Sequence, residues 1–135
     1  AFDAVLLPGG FGAAKNLCSF AVDGENCTVH PEVENFLRAA RGLGKAIGAM
    51  CIAPVILARV FGPELSPSVT IGNDPATAAM INKMGAHHID CAPDETVVDE
   101  ANSMVTTPAY MIAGNIGEVF DGAKSCVEKL LGLCP

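Results

Sequence analysis

The chain has 135 residues, half of them apolar and 17% charged, with a net charge of −7 at pH 7, one tyrosine and no tryptophan. That length suits one domain with a real core, and the composition excludes a disordered chain. The acidic balance argues against nucleic acid or an anionic membrane surface as a partner, since both require clustered Lys and Arg.

Short apolar runs alternate with amphipathic stretches, and Gly or Pro stands at most of the joins. FDAVLL (2–7) predicts a strand that stops at Pro8-Gly9-Gly10. In residues 31–41, Val33, Phe36, Leu37 and Ala40 recur at the helix period, with Pro31 in the first turn and Gly42 and Gly44 beyond the end. KAIGAM (45–50) predicts a buried strand, and IAPVILARVF (52–61) the helix after it. The longest apolar run, AIGAMCIAPVILA (46–58), covers that strand and helix and contains Pro54. It is shorter than the roughly 20 residues that a membrane span needs.

SVTIG (68–72) predicts a further strand, and Asp74-Pro75 an N-cap followed by Pro at the first position of a helix reaching Met84. HHIDC (87–91) predicts a strand after the Gly85 stop, and TVVD (96–99) with SMVTTP (103–108) a hairpin around Glu100-Ala101-Asn102. Ile112, Ile116, Val119, Phe120, Ala123, Val127, Leu130 and Leu131 predict one face of a C-terminal helix packed on the sheet. The alternation predicts an α/β fold with a mainly parallel sheet, in a single domain over 1–135 without repeat or linker.

Ligands of open α/β sheets bind beyond the carboxyl ends of the strands. Two such ends stand out. In PGGFG (8–12) the glycines let backbone N–H groups approach a ligand unobstructed. In GAMCIAP (48–54), Cys51 stands where a strand turns into a helix, and the positive end of the helix dipole favours a thiolate there. With the Ile52 N–H beside it, this would make a nucleophile next to an oxyanion site. The alternative is that Met50, Ile52, Val55 and Ile56 wrap Cys51 as one more small core residue.

Six cysteines without a CxxC pair read as free thiols of a reducing compartment. Cys18, Cys27, Cys91, Cys126 and Cys134 lack the helix-start setting of Cys51 and are expected to be inert beside it. Cys27 and His30 with His87 and His88 are the only residues to consider as metal ligands, and their spacing fits no zinc pattern. The residues Asp94, Glu95, Asp99 and Glu100 read as a solvated acidic turn, and Lys15 and Asn16 as a helix surface.

LLPGGFGAAKNL (6–17), GKAIGAMCIAPVILA (44–58), VTIGND (69–74), MGAHH (84–88) and VVDEANSMVTTPAYM (97–111) resemble, in order, the ElbB-type family. These are the isoprenoid-biosynthesis glyoxalases of bacteria with mitochondrial relatives in animals, in the PfpI-like branch of the class I glutamine amidotransferase-like superfamily. The resemblance implies a flavodoxin-like three-layer sandwich with a nucleophile elbow. It implies Cys51 as the elbow nucleophile, Gly9, Gly10 and Ile52 as backbone donors, and Thr107, Pro108 and Tyr110 as pocket lining. No cofactor or metal is implied.

The implied activity is that of a glutathione-independent glyoxalase acting on small reactive aldehydes such as methylglyoxal, in a mitochondrial matrix or bacterial-type cytoplasm. Two departures qualify it. Position 52 is Ile, where amidotransferase and PfpI-type sites often have a His near the cysteine, and the acidic partner of the superfamily has no counterpart here. Both departures favour the rival expectation, a catalytically weak binding or structural subunit with a redox-sensitive cysteine. Relatives carry further strands before the PGG strand, so about seventy more N-terminal residues, or a partner chain or second copy, are expected to cover the sheet edge.

Overall fold

The computed structural model describes all 135 residues. Its main sheet has four strands in the order β1 (Ala4–Leu7), β2 (Ala46–Met50), β6 (Met104–Thr107) and β5 (Val97–Asp99). The first three run parallel, and β5 closes one edge antiparallel to β6, in the hairpin that the sequence predicts. At the other edge β1 has one side without a strand partner, and all four of its residues are half-buried.

Both faces of this sheet are covered, which is why β2 is fully buried. Val5, Leu7, Ile47 and Ala49 meet one core with Leu37, Val55 and Leu57 from helices α2 (Pro31–Gly42) and α3 (Pro54–Leu65). Ala4, Leu6, Ala46 and Met50 meet the other core with Cys126 and Leu130 from helix α5 (Ile116–Gly132). This period-two division makes a three-layer α/β sandwich of the flavodoxin-like kind that the sequence predicts.

A second parallel pair, β3 (Ser68–Val69) with β4 (His87–His88), is joined to the main sheet by side chains. The Thr70 N–H donates to Thr106 Oγ1 at 3.0 Å, and the Ser68 N–H to Asp99 Oδ2 at 2.8 Å. Asp99 also accepts from the backbone and side chain of Asn102, so it anchors the hairpin turn and is not the solvated charge expected of it.

The helix ends follow local chemistry. The Asp74 carboxylate accepts from Thr77 N–H and hydroxyl and caps α4 (Pro75–Lys83), as expected; those bonds hold its pKa below the ordinary carboxylate value. His30 caps α2, Nδ1 accepting from the Glu32 N–H at 3.2 Å, so it serves a helix end. A short helix, α1 (Phe20–Asp23), lies between the glycine loop and α2.

Two expectations need correction. Helix α3 starts at Pro54, not residue 52, because residues 51–53 form a turn, and it runs on through Pro63 to Leu65. In α5 the sheet covers a narrower arc than the apolar one. Gly122, Cys126 and Leu130 are buried, whereas Ile116, Phe120 and Leu131 are 76%, 65% and 61% exposed. No helix is long and apolar enough to cross a membrane.

Candidate functional site

β1 and β2 are adjacent and parallel, so their carboxyl ends put Gly9–Gly10 and Cys51 side by side. Strand β2 ends in a sharp turn in which Cys51 has φ +61°, a left-handed conformation that costs a non-glycine residue about 1–2 kcal/mol. The turn is held from both sides. The Cys51 N–H donates to the Thr107 carbonyl at 3.0 Å, and the Ala53 N–H returns to Met50 at 3.0 Å. Strain held in place by its surroundings, at a potential nucleophile, is the geometry of a nucleophile elbow.

Gly9 and Gly10 both have positive φ, +93° and +87°. A β-carbon on Gly9 would stand 2.5 Å from the Met50 carbonyl oxygen and 2.9 Å from Cys51 Cβ. Glycine is therefore required twice over, by conformation and by space. The N–H groups of Gly9, Gly10 and Ile52 donate to no other backbone or side-chain group of the chain.

In front of them lies a cavity of 340 Å³, walled by Gly10, Phe11, Ala14, Phe20, Ala21, Cys51, Ile52 and Met111. Cys51 is its only titratable lining residue, half-buried. A small apolar cavity with one thiol and free N–H donors can accept a small electrophile and hold an oxygen that gains negative charge.

Of the residues singled out in the sequence, Gly10, Cys51 and Ile52 line this cavity, and Gly9 backs Cys51. Thr107 contributes its carbonyl to the elbow, but its hydroxyl donates away, to the Glu95 carbonyl at 2.7 Å. Pro108 is buried outside the wall, and Tyr110 is 68% exposed. The lining position falls instead to Met111, because residues 109–111 make a tight 3-10 turn begun by Ala109 at φ +48°. Phe11 and Phe20 were not foreseen as walls; the only sequence hint was an aromatic directly after the glycine pair.

His87 and His88 stand in β4, outside the cavity wall. The His88 side chain is only 2% exposed, and its Nε2 accepts from the Ile71 N–H at 3.1 Å. Burial lowers its pKa below the ordinary histidine value, against Asp90, which works upward. No three His, Cys, Asp or Glu side chains gather as a metal-ligand set.

The other thiols divide sharply. Burial pushes Cys91 and Cys126 up to about 11. Cys18 moves the other way, to about 7, because the neighbouring Cys27 thiol favours its charged form. Among the five thiols expected to be inert beside Cys51, Cys18 is thus the one whose surroundings favour the thiolate.

No protein-family model matches the chain. It is 43% identical, over 97% of its length, to the rat "ES1 protein homolog, mitochondrial". It is equally similar, at 43% over 97%, to the human "Glutamine amidotransferase-like class 1 domain-containing protein 3, mitochondrial". The chain spans about half of each relative, 52% and 51% respectively. Among solved structures, an isoprenoid biosynthesis protein with amidotransferase-like domain from Ehrlichia chaffeensis superposes with a TM-score of 0.85 at 31% identity, over 97% of this chain and 59% of that one. Sheet order, elbow and relatives agree: this chain carries the class I glutamine amidotransferase-like fold.

Proposed function

We propose that this chain holds the reactive centre of a cysteine-dependent enzyme acting on small reactive aldehydes, of the glyoxalase type, with methylglyoxal as the model substrate. The observation that carries the reading is Cys51 in a strained left-handed turn facing a small apolar cavity, with the N–H groups of Gly9, Gly10 and Ile52 otherwise unpaired. The Cys51 sulfur adds to the aldehyde carbon. One C–S bond forms, the C=O π bond breaks, and the thiol proton ends on the oxygen of the hemithioacetal. The three N–H groups stabilise that oxygen while it carries charge. An apolar wall favours a small uncharged carbonyl compound over a charged one.

The names of the relatives support a mitochondrial location and an amidotransferase-like ancestry. Glutamine hydrolysis is disfavoured, because the residue beside Cys51 is Ile52 and no His lines the cavity. Completing an aldehyde conversion requires a proton carrier, and the lining residues supply none apart from Cys51 itself. That observation favours one second reading, a binding subunit that forms the hemithioacetal reversibly and goes no further.

The test is methylglyoxal consumption and lactate formation by the full-length protein. Turnover abolished by Cys51→Ala is the expected result, and turnover unaffected by that substitution overturns the proposal. A Cys51 adduct with no product supports the binding reading.

A further inference from the structure

Cys18 and Cys27 lie in the chain between the glycine loop and α2. An isolated antiparallel bridge sets Cys18 opposite Val29, and the Ser19 N–H donates to the Thr28 carbonyl at 2.9 Å. Cys27 is two residues before Val29, so its side chain leaves the same face of the extended segment as Val29, diagonal to Cys18. Both are buried in one core cluster, 5% and 0% exposed, and each thiol is the largest influence on the acidity of the other. Neither is needed by the chemistry proposed for Cys51.

We propose that Cys18 and Cys27 form a peroxide-reactive dithiol, in which Cys18 is the attacking thiol and Cys27 the resolving one. The Cys18 thiolate attacks one oxygen of hydrogen peroxide and breaks the O–O bond. This gives a sulfenic acid on Cys18 and releases hydroxide. The Cys27 sulfur then attacks Cys18, forms the S–S bond and expels water as it loses its proton. Two thiols are oxidised and one peroxide is reduced, with two waters as the net product.

The roles follow from the environment. The Cys27 thiol and the Phe20 backbone both favour the charged form of Cys18, so the negative charge settles there at about pH 7 against the opposing effect of burial. Cys27 is held protonated by the neighbouring Cys18 and by burial; Asp23 reinforces this and Arg59 opposes it. A thiol lowered by two pKa units gains about fiftyfold in thiolate at neutral pH and loses about eightfold in intrinsic nucleophilicity, a net gain of about sixfold.

Access comes from the cavity side. Cys18 Sγ donates to the Ala14 carbonyl, the Phe20 backbone lies close enough to lower its pKa, and both of those residues are cavity walls. A reagent inside the cavity is therefore one residue layer from the Cys18 sulfur. In the thiol form Cys18 Sγ donates to the carbonyls of Ala13 and Ala14, at 3.6 and 3.7 Å. Disulfide formation removes that donor from the turn that follows Gly10, which couples the oxidation state to the cavity wall.

Both thiols fall on one tryptic peptide, residues 16–38, so the bond reads as a loss of two hydrogens within that peptide. Full-length reduced protein is treated with limiting hydrogen peroxide at neutral pH, blocked with iodoacetamide and mapped by mass spectrometry. The expected result is that this peptide oxidises first, about sixfold faster than in guanidinium, where the pairing is lost. In Cys27→Ser, Cys18 should stop as a sulfenic acid that dimedone traps. Oxidation of Cys91, Cys126 or Cys134 ahead of an intact Cys18–Cys27 pair overturns the proposal, as does a native rate no higher than the unfolded one. The wild-type kinetics decide the matter even if Cys27→Ser does not fold. Disulfide formation is read without reference to turnover, so it stands or falls separately from the aldehyde chemistry.

Discussion

Gly9 packs against Cys51 with no room for a side chain between the two residues, and this contact ties the glycine loop to the elbow. The neighbouring Gly10 has the same kind of backbone conformation, yet a β-carbon there would meet nothing within 4 Å. The pair separates steric from conformational cost. Gly10→Ala should destabilise the fold by about 1–2 kcal/mol, the cost of a left-handed alanine. Gly9→Ala adds a clash with the Met50 carbonyl and should cost about 3 kcal/mol or more. Urea unfolding of both variants checks this, and equal losses would contradict the contact.

Thr106 makes the joint between the main sheet and the β3–β4 pair. Thr106 and Thr70 are both fully buried, and the Thr70 N–H donates to Thr106 Oγ1. Thr106→Val keeps the shape and removes the acceptor, so a buried N–H loses its partner at a cost of about 2 kcal/mol. Thr106→Ser retains the hydroxyl and should lose less. The difference between their denaturant midpoints is the measurement.

His88 gives the fold an acid limit. Its Nε2 must be unprotonated to accept from Ile71, and burial lowers its pKa below 6.5 in the folded chain. The unfolded chain binds the proton near pH 6.5, before the folded one does. Stability from this group is therefore full above about pH 7 and falls as the pH drops through 6.5 toward the folded pKa, where it levels off. In His88→Gln, urea midpoints from pH 7.5 to 5 should show a shallower slope than in the wild type. An unchanged slope would assign the acid sensitivity to other groups.

The open side of β1 and the uncovered arc of α5 make a prediction about association. A parallel edge strand with half-buried residues is a template for another strand, and on α5 Ile116, Phe120 and Leu131 leave further apolar surface exposed. The 135-residue chain on its own should elute as an associated species in light-scattering chromatography, and Phe120→Glu should reduce that association. A monodisperse monomer with native unfolding behaviour would show that the edge needs no cover.

Element order and the parallel sheet were legible in the sequence because each rests on local signals, apolar period, Pro at helix starts and Gly pairs at strand ends, whereas the elbow at Cys51 was implied by the family resemblance. The buried arc of α5 was not legible. Periodicity shows which residues are apolar, whereas the width of the sheet beneath decides whether Phe120 is covered. Met111 in place of Tyr110 depended on the tight turn at Ala109, whose positive φ has no sequence signal. The Cys18–Cys27 contact escaped for a similar reason. It arises from the isolated bridge between Cys18 and Val29, and nothing in the spacing of the two cysteines announces it.

The last rung between β2 and β6 pairs Met50 with Thr107, and two of the four left-handed non-glycine residues, Cys51 and Ala109, follow within two positions of it. Neither turn has a reason to persist without that rung, because each would relax to an ordinary backbone conformation. The elbow is thus a spring whose catch is a strand pairing. Loosening of β6 anywhere along its short length unlatches the cysteine, disperses its N–H neighbours and converts a fixed centre into a common surface thiol. The chemistry proposed for Cys51 therefore depends on sheet integrity, and its loss would report that integrity from a single residue.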